Sequence, residues 1–127
     1  MEANEKVQEY YNLSKSYLQT ALDSLDSGRI EPAMFNAIHA LELAIKSTLP
    51  AVSGDIQRTH NVGGVFGRHF RDEVRKTTCK RVNTILSKYN LPRYPGAKPI
   101  NKNEAEEDIE FVKHFIEVDI PKLLKML

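Results

Sequence analysis

The sequence has few of the features that mark secreted, membrane-spanning or metal-dependent proteins. Its one cysteine, Cys79, cannot form an intrachain disulfide, and no Cys, His and Asp cluster has the spacing of a metal site. No apolar run approaches the ~20 residues that a membrane-spanning helix needs. The N-terminal residues are acidic and polar, unlike those of a signal peptide. We therefore expect a cytoplasmic protein without a metal ion or other cofactor, in which Cys79 has a plain structural role.

Neither sign of charge dominates the whole chain, but the two signs are separated along it. The formal net charge is +1. Residues 58–102 contain eleven Lys or Arg and two acidic residues, which gives this stretch +9 and leaves −8 for the rest. One interpretation is a basic face that attracts phosphates, as in non-specific nucleic-acid binding. The other is a basic helix that an acidic neighbour neutralises across an ordinary surface, and the sequence leaves both open.

Apolar residues recur at helical spacing over most of the 127 residues, and no strand pattern or internal repeat stands out. The length predicts a single domain, residues 1–127. A first helix is predicted over about 4–25, ended by Gly28, and a second over 32–49, ended by Pro50. Because few residues join these two helices, we expect them to form an antiparallel hairpin.

The second half of the chain predicts further helices. A third begins near Val62 and continues to about Asn90, with a break near 75–78. After a proline-rich loop, the final helix covers 103–127, and Pro121 should kink it or divide off its last turn. The predicted fold class is therefore an all-α, up-and-down bundle of four main helices plus an additional helix.

The second helix has the most distinctive pattern in the chain. Small residues recur three or four positions apart, at Ala33, Ala37, Ala40 and Ala44. They form a stripe against which another helix can lie closely, as in a buried central helix. Glu42 and Lys46 are four residues apart, in the order that favours an ion pair on a helix surface.

Three segments of the chain follow one another in a characteristic order. The first, from Ala33, reads Ala-x-Phe-x-Ala-x-x-Ala-x-Glu-x-Ala-x-Lys, and the second is Thr-His-Asn-Val with Val-Phe over residues 59–66. The third is Arg-Tyr-Pro-Gly at residues 93–96, before an acidic helix start. Together these segments resemble the HEPN domain, the helical bundle named for nucleotide binding in higher eukaryotes and prokaryotes. The resemblance extends over nearly the whole chain.

This resemblance implies a nucleotide- or RNA-binding module that forms a homodimer, in which Glu42 and Lys46 could contact the second subunit. It also implies a separately encoded minimal nucleotidyltransferase as partner, in a toxin–antitoxin-like pair. Active ribonucleases of the family carry an Arg and a His with four to six residues between them; no Arg of this chain is followed by a His at that spacing. We therefore predict no catalytic residue. A structural dimerisation or protein-interaction module without its own ligand, and an atypical metal-independent ribonuclease, remain alternatives.

The predicted nucleotide- or RNA-binding residues are polar or aromatic side chains in or beside the basic stretch, namely Arg58, His60, Arg68, His69, Arg93 and Tyr94. The first two precede a helix whose N-terminal amides could bind an anion, and the next two follow one or two turns later. Tyr94 could stack on a base beside a phosphate bound by Arg93. A structural alternative stays open: His60 caps the helix, and Tyr94 holds the loop while Arg93 pairs with the acidic last helix.

Overall fold

The computed structural model describes residues 2–53, 62–88 and 99–126. The elements in chain order are α1 (Glu2–Asp26), α2 (Ile30–Ser53), α3 (Val62–Phe70), α4 (Lys76–Lys88), α5 (Lys102–His114), a π-helical segment (Phe115–Asp119) and α6 (Ile120–Met126). None of the described residues forms a β-strand, and the predicted all-α bundle is confirmed.

Helices α1 and α2 form an antiparallel hairpin, and Gly28 shapes the turn between them. Its φ of 77° lies in the left-handed region, which glycine adopts without a steric penalty. The Arg29 N–H donates to the Ser24 carbonyl at 2.8 Å, and the Gly28 N–H donates to the Leu25 carbonyl at 3.0 Å. These are the two hydrogen bonds of a Schellman motif, so the predicted stop at Gly28 is confirmed.

Helix α2 is the central helix of the bundle, in contact with every other helix. Its fully buried residues include the predicted alanine stripe and the larger side chains beside it, namely Ala33, Met34, Ala37, Ala40, Leu41, Ala44, Ile45 and Leu49. The predicted end of this helix is wrong, because α2 continues past Pro50 to Ser53. Proline has a helix-compatible φ and costs a helix mainly one hydrogen bond and a clash with the carbonyl four residues earlier. Burial of Ile45 and Leu49 against the core holds these last turns in place.

The predicted break in the third helix is present, but it lies at residues 71–75 and not at 75–78. The Val74 N–H donates to the Phe70 carbonyl at 2.9 Å and closes the turn between α3 and α4. The two helices approach closely at Gly63, where an added Cβ would overlap the Asn83 side chain. A larger residue at this position would have to displace the Asn83 side chain.

The last three elements form one continuous helix with a widened turn in its middle. The Asn101 side chain caps its start by accepting a hydrogen bond of 3.0 Å from the Glu104 N–H. In the π-helical segment the Ile120 N–H donates to the Phe115 carbonyl, five residues back. Pro121 follows immediately, and it has no N–H to continue the helix. The predicted interruption at Pro121 thus takes the form of a π-helical turn just before it.

Aromatic side chains from α3 and the last helix fill the middle of the core. The Phe66 ring centroid lies 5.1 Å from that of Phe70 and 5.5 Å, edge-on, from that of Phe115. Cys79 of α4 is buried beside them, and burial raises the pKa of its thiol. Among the described residues, no helix combines the length and apolarity that crossing a membrane requires.

Candidate nucleic-acid interface

The end of α3, the following turn and the start of α4 present a positively charged surface. We call its members the basic turn surface, and all are exposed: Arg68, His69, Arg71, Arg75, Lys76 and Lys80. Residues 68–80 contain five Lys or Arg against two acidic residues, a net charge of +3. No ion pair joins these five cations to any residue in the described part of the chain. Within the described residues, their charge is therefore not neutralised by an ion pair.

The hydrophobic pattern of the two helices explains why these cations face outward. Phe66 and Phe70 of α3 are at most 3% exposed, so Arg68 and His69 lie on the opposite face. On α4, the inward-facing residues are Cys79, Val82 and Ile85. The same helical spacing directs Lys76 and Lys80 to the surface. The core thus fixes the position of the basic turn surface.

A groove adjoins this surface, between the α3–α4 turn and the last helix. It has a volume of about 460 Å³, within the range of small-molecule sites. Its lining combines apolar, cationic and acidic side chains, namely Glu73, Val74, Arg75, Thr78, Phe111, His114, Asp119, Lys122 and Leu123. Arg75 belongs both to the groove and to the basic turn surface.

The polar side chains of the groove can contact several parts of a nucleotide. Arg75 and Lys122 supply positive charge for a phosphate, and Phe111 supplies an aromatic wall. His114 Nδ1 lies 3.8 Å from Asp119 Oδ2, which belongs to the π-helical segment. Asp119 and Glu73 can accept hydrogen bonds from a ribose hydroxyl or a base amino group.

His114, Asp119 and Lys122 were not predicted from the sequence. These residues lie about forty positions from Arg75 in the chain, and no spacing rule connects them to it. The one available signal was Pro121, which interrupts the helix between two of the lining residues. π-Helical turns are frequent at functional sites.

A second part of the basic stretch is neutralised. Arg81 Nη2 lies 2.7 Å from Asp108 Oδ1, and Asp108 is only 3% exposed. The Arg81 guanidinium carbon also lies 5.5 Å from the centre of the Phe111 ring. Acidic α5 thus pairs with Arg81 in α4, as the second interpretation of the charge separation predicts. The cations of the basic turn surface have no such partner within the described residues.

The predicted contact residues fall into two groups. Arg68 and His69 are exposed side by side on the last turn of α3, within the basic turn surface. The other four lie outside the described residues, namely Arg58, His60, Arg93 and Tyr94. Near the start of α3, the space beside Gly63 is taken by the Asn83 side chain. No group of three or more His, Cys, Asp or Glu among residues 2–53, 62–88 and 99–126 could hold a metal ion.

Comparison with known proteins gives one positive result. The HEPN domain family model matches residues 7–123, which take in every helical element at least in part. No curated protein matches the chain. The family match agrees with the all-α architecture and includes all three segments on which the resemblance was based.

Proposed function

Since this chain belongs to the HEPN domain family, we propose that it is a nucleotide- or RNA-binding module that binds phosphates through the basic turn surface and the adjoining groove. One observation carries the proposal: exposed cations of the basic turn surface, which form no ion pair with any described residue, lie beside a groove that shares Arg75 with them and contains His114 and Lys122. The family supports a nucleotide- or RNA-related role for such a surface.

In this proposal the basic turn surface attracts and positions the phosphate backbone. Arg68 and Arg71 contact successive phosphates, because guanidinium groups form paired hydrogen bonds with phosphate oxygens. Arg75 and Lys122 hold the phosphate of one nucleotide at the groove, and its base lies beside the edge of the Phe111 ring. Binding of this kind releases counterions, so the affinity falls as the salt concentration rises.

The remaining predicted contacts are part of the same proposal. Arg58, His60, Arg93 and Tyr94 are proposed as additional contacts to the RNA, on the strength of the family resemblance. We also propose that the protein acts in the cytoplasm as a homodimer. Its proposed partner, which the sequence resemblance implies, is a separately encoded minimal nucleotidyltransferase, in a toxin–antitoxin-like pair.

A structural dimerisation module is the second candidate function. It is favoured by two large apolar side chains, Leu13 and Phe35, which are 44% and 45% exposed. An atypical ribonuclease has no comparable support, because the Arg-x4–6-His motif of the family's ribonucleases is absent from the sequence. The two leading functions differ in whether the isolated protein binds RNA.

Fluorescence anisotropy with a labelled single-stranded RNA tests the proposal. We expect saturable binding at low salt, and a several-fold loss of affinity in Arg68→Ala and in Arg75→Ala. Lys6→Ala removes an exposed cation of α1 and serves as the matched control, with unchanged affinity expected. Absence of binding by the wild-type protein at low salt would favour the structural module. Equal losses in all three variants would show that the charges act without a defined site. RNA recovered afterwards should be intact on a gel.

The groove is tested by a labelled mononucleotide, with Lys122→Ala and Lys125→Ala as the matched pair. Lys122 lines the groove, whereas Lys125, one turn later, is not among its lining residues. We expect the first substitution to weaken nucleotide binding and the second to leave it unchanged. If Arg68→Ala loses RNA binding but the wild-type protein binds no mononucleotide, the binding site is restricted to the basic turn surface.

A further inference from the structure

The last helix forms one wall of the groove, and the residues that line it follow one another along the helix axis. Phe111 is followed three residues later by His114, and both line the groove. Asp119 is likewise followed three residues later by Lys122. The members of each pair share a helix face and lie about 4.5 Å apart along the axis. The wall therefore presents, in order, an aromatic ring, an imidazole, a carboxylate and an ammonium group.

The π-helical turn determines which side chain lies in the middle of this wall. In an uninterrupted α-helix, Val118 would follow His114 on the same face, and Asp119 would lie about 140° away around the axis. The widened turn, in which the Ile120 N–H donates to the Phe115 carbonyl, brings Asp119 to that face instead. Asp119 Oδ2 lies 3.8 Å from His114 Nδ1, and Asp119, not Val118, lines the groove. A carboxylate therefore takes the place of an apolar side chain.

The Asp119 carboxylate can accept hydrogen bonds from a ligand in the groove. Its side chain is 24% exposed, whereas that of His114 is 65% exposed. The 3.8 Å between the two is longer than a hydrogen bond, and no hydrogen bond from another described residue reaches this carboxylate. A phosphate beside Asp119 would be repelled, because both groups are negatively charged. The complement of Asp119 in a nucleotide is therefore a hydroxyl or amino donor.

The position of Asp119 along the wall favours the sugar of a nucleotide over its base. In the proposed binding mode the phosphate lies at Lys122 and the base at Phe111, which are the two ends of the wall. His114 and Asp119 lie between these ends, and the ribose lies between the base and the phosphate. A ribose hydroxyl both donates and accepts hydrogen bonds. It can therefore donate to the Asp119 carboxylate and accept from an imidazole N–H of His114.

We propose that Asp119 makes the groove selective for ribonucleotides over deoxyribonucleotides by accepting a hydrogen bond from the ribose 2′-hydroxyl, which rests on the nucleotide binding of the proposed function. Within a strand the 3′-oxygen is esterified, so the 2′-hydroxyl is the ribose donor that remains, and it distinguishes RNA from DNA. A deoxyribose leaves the partly desolvated carboxylate without this donor. Loss of a hydrogen bond to a charged group weakens binding about 10-fold or more. Phosphate contacts do not depend on the 2′-hydroxyl, so the basic turn surface binds both kinds of strand alike.

Competition of unlabelled mononucleotides against a labelled one tests this selectivity. We expect the wild type to bind AMP and UMP each about 10-fold more tightly than the corresponding 2′-deoxynucleotide. Asp119→Ala should abolish this difference and leave the affinity for the deoxynucleotides unchanged or higher, because a negative charge near the phosphate is removed. Glu117→Ala is the matched control: it removes a carboxylate from the same π-helical segment but outside the groove, and it should retain the wild-type difference. Circular dichroism checks that both variants are folded.

The possible results separate this selectivity from the proposed function. A wild type that binds none of the four nucleotides would overturn both the nucleotide binding of the groove and its selectivity. Equal binding of ribonucleotides and deoxynucleotides by the wild type would overturn the selectivity alone. A merely structural role of Asp119 would weaken all four nucleotides equally in Asp119→Ala, and it would likewise overturn the selectivity. A preference for AMP over UMP that ignores the 2′-hydroxyl and is lost in Asp119→Ala would assign the carboxylate to the base and contradict the ribose contact.

Single strands give a second readout of the same contact. RNA and DNA of one sequence, with uracil in both, differ in the sugar alone. A hydrogen bond to a 2′-hydroxyl releases no counterion, so plots of log K against log salt should be parallel for the two strands, with RNA bound more tightly throughout. In Asp119→Ala the two plots should coincide. Different slopes in the wild type would show that RNA and DNA differ in their phosphate contacts, and this result would contradict the role of Asp119.

Discussion

The hydroxyl of Tyr11 in α1 donates a hydrogen bond of 3.1 Å to the carbonyl oxygen of Ile116, inside the π-helical segment. The helix itself supplies no partner for this oxygen. The Ile120 N–H, four residues on, is used by the Phe115 carbonyl, and the residue five positions on is Pro121, which has no N–H. Tyr11 therefore satisfies a carbonyl that proline leaves unpaired, and it ties the first helix to the last.

We expect Tyr11→Phe to lower the free energy of unfolding by about 1–3 kcal/mol, because it leaves a backbone carbonyl without a partner. Urea denaturation followed by circular dichroism measures the change. Tyr10→Phe is the matched control: Tyr10 is also half-buried on α1, and no hydrogen bond joins its hydroxyl to the described residues. Equal effects of the two substitutions would contradict the role of the Tyr11 hydroxyl.

A double-mutant cycle with Pro121→Ala separates this role from general packing. Alanine at position 121 supplies the missing N–H, which can donate to the Ile116 carbonyl in a π-helical turn. Tyr11→Phe should therefore cost less in the Pro121→Ala background than in the wild type. If Tyr11→Phe lowers the free energy of unfolding equally in both backgrounds, the contribution of the Tyr11 hydrogen bond does not depend on Pro121.

The same contact predicts a dependence of stability on alkaline pH. Burial, and after it the Glu117 carboxylate, raises the pKa of Tyr11 above its ordinary value of 10.0. The unfolded chain therefore ionises first, so the contribution of Tyr11 is complete below pH 10.0 and declines as the pH rises toward the pKa of the folded state. The difference in unfolding free energy between wild type and Tyr11→Phe should be constant from pH 7 to 9 and shrink above pH 10. A difference that grows at alkaline pH would contradict a raised pKa of Tyr11 in the folded protein.

Arg81 should contribute to stability rather than to RNA binding. Its partner Asp108 is almost fully buried, and removal of the guanidinium leaves that carboxylate without its bond to Arg81. We expect Arg81→Ala to lower the free energy of unfolding by about 1–3 kcal/mol, since the Arg81 side chain itself is 40% exposed. Lys80→Ala, one residue earlier on the exposed face, should change stability by less than about 0.5 kcal/mol. A larger loss of stability in Lys80→Ala than in Arg81→Ala would contradict a stabilising role for the Arg81–Asp108 ion pair.

Cys79 should react slowly with thiol reagents in the folded protein. Its side chain is buried in the core, and the raised pKa of the thiol lowers the fraction of reactive thiolate. Ellman's reagent should modify the native protein over a much longer time than the urea-unfolded protein, in which the thiol is exposed. Modification of the native protein within the mixing time would contradict the burial of Cys79.

The local pattern was sufficient to predict most of the fold. Helical spacing of apolar residues predicted each of the main helices, and the backbone freedom of Gly28 predicted the end of the first. The prediction at Pro50 was wrong because burial of Leu49 and Ile45 outweighs a local preference. At Pro121 the sequence indicated an interruption, but the π-helical turn there contacts Tyr11, a distant residue that no local pattern connects to it.

The candidate site was harder to predict from the sequence than the fold, because it forms from elements far apart in the chain. Arg68 and His69 were predicted from their chemistry, and the structure places both on the exposed side of α3. His114 and Lys122 join Arg75 through the antiparallel packing of the last helix beside α4, which no spacing rule describes. The neutralisation of Arg81 by Asp108 likewise depends on which helices are neighbours.

The salt dependence of RNA binding tests the central proposal most directly. Each phosphate contact that a cation makes contributes about −0.7 to the slope of log K against log salt for a single strand. We predict a clearly negative slope for the wild type, reduced by about 0.7 in Arg68→Ala and by about 1.4 in a variant that also carries Arg75→Ala, and unchanged in Lys6→Ala. A wild-type slope near zero, or slopes equal in all four proteins, would contradict phosphate binding by the basic turn surface.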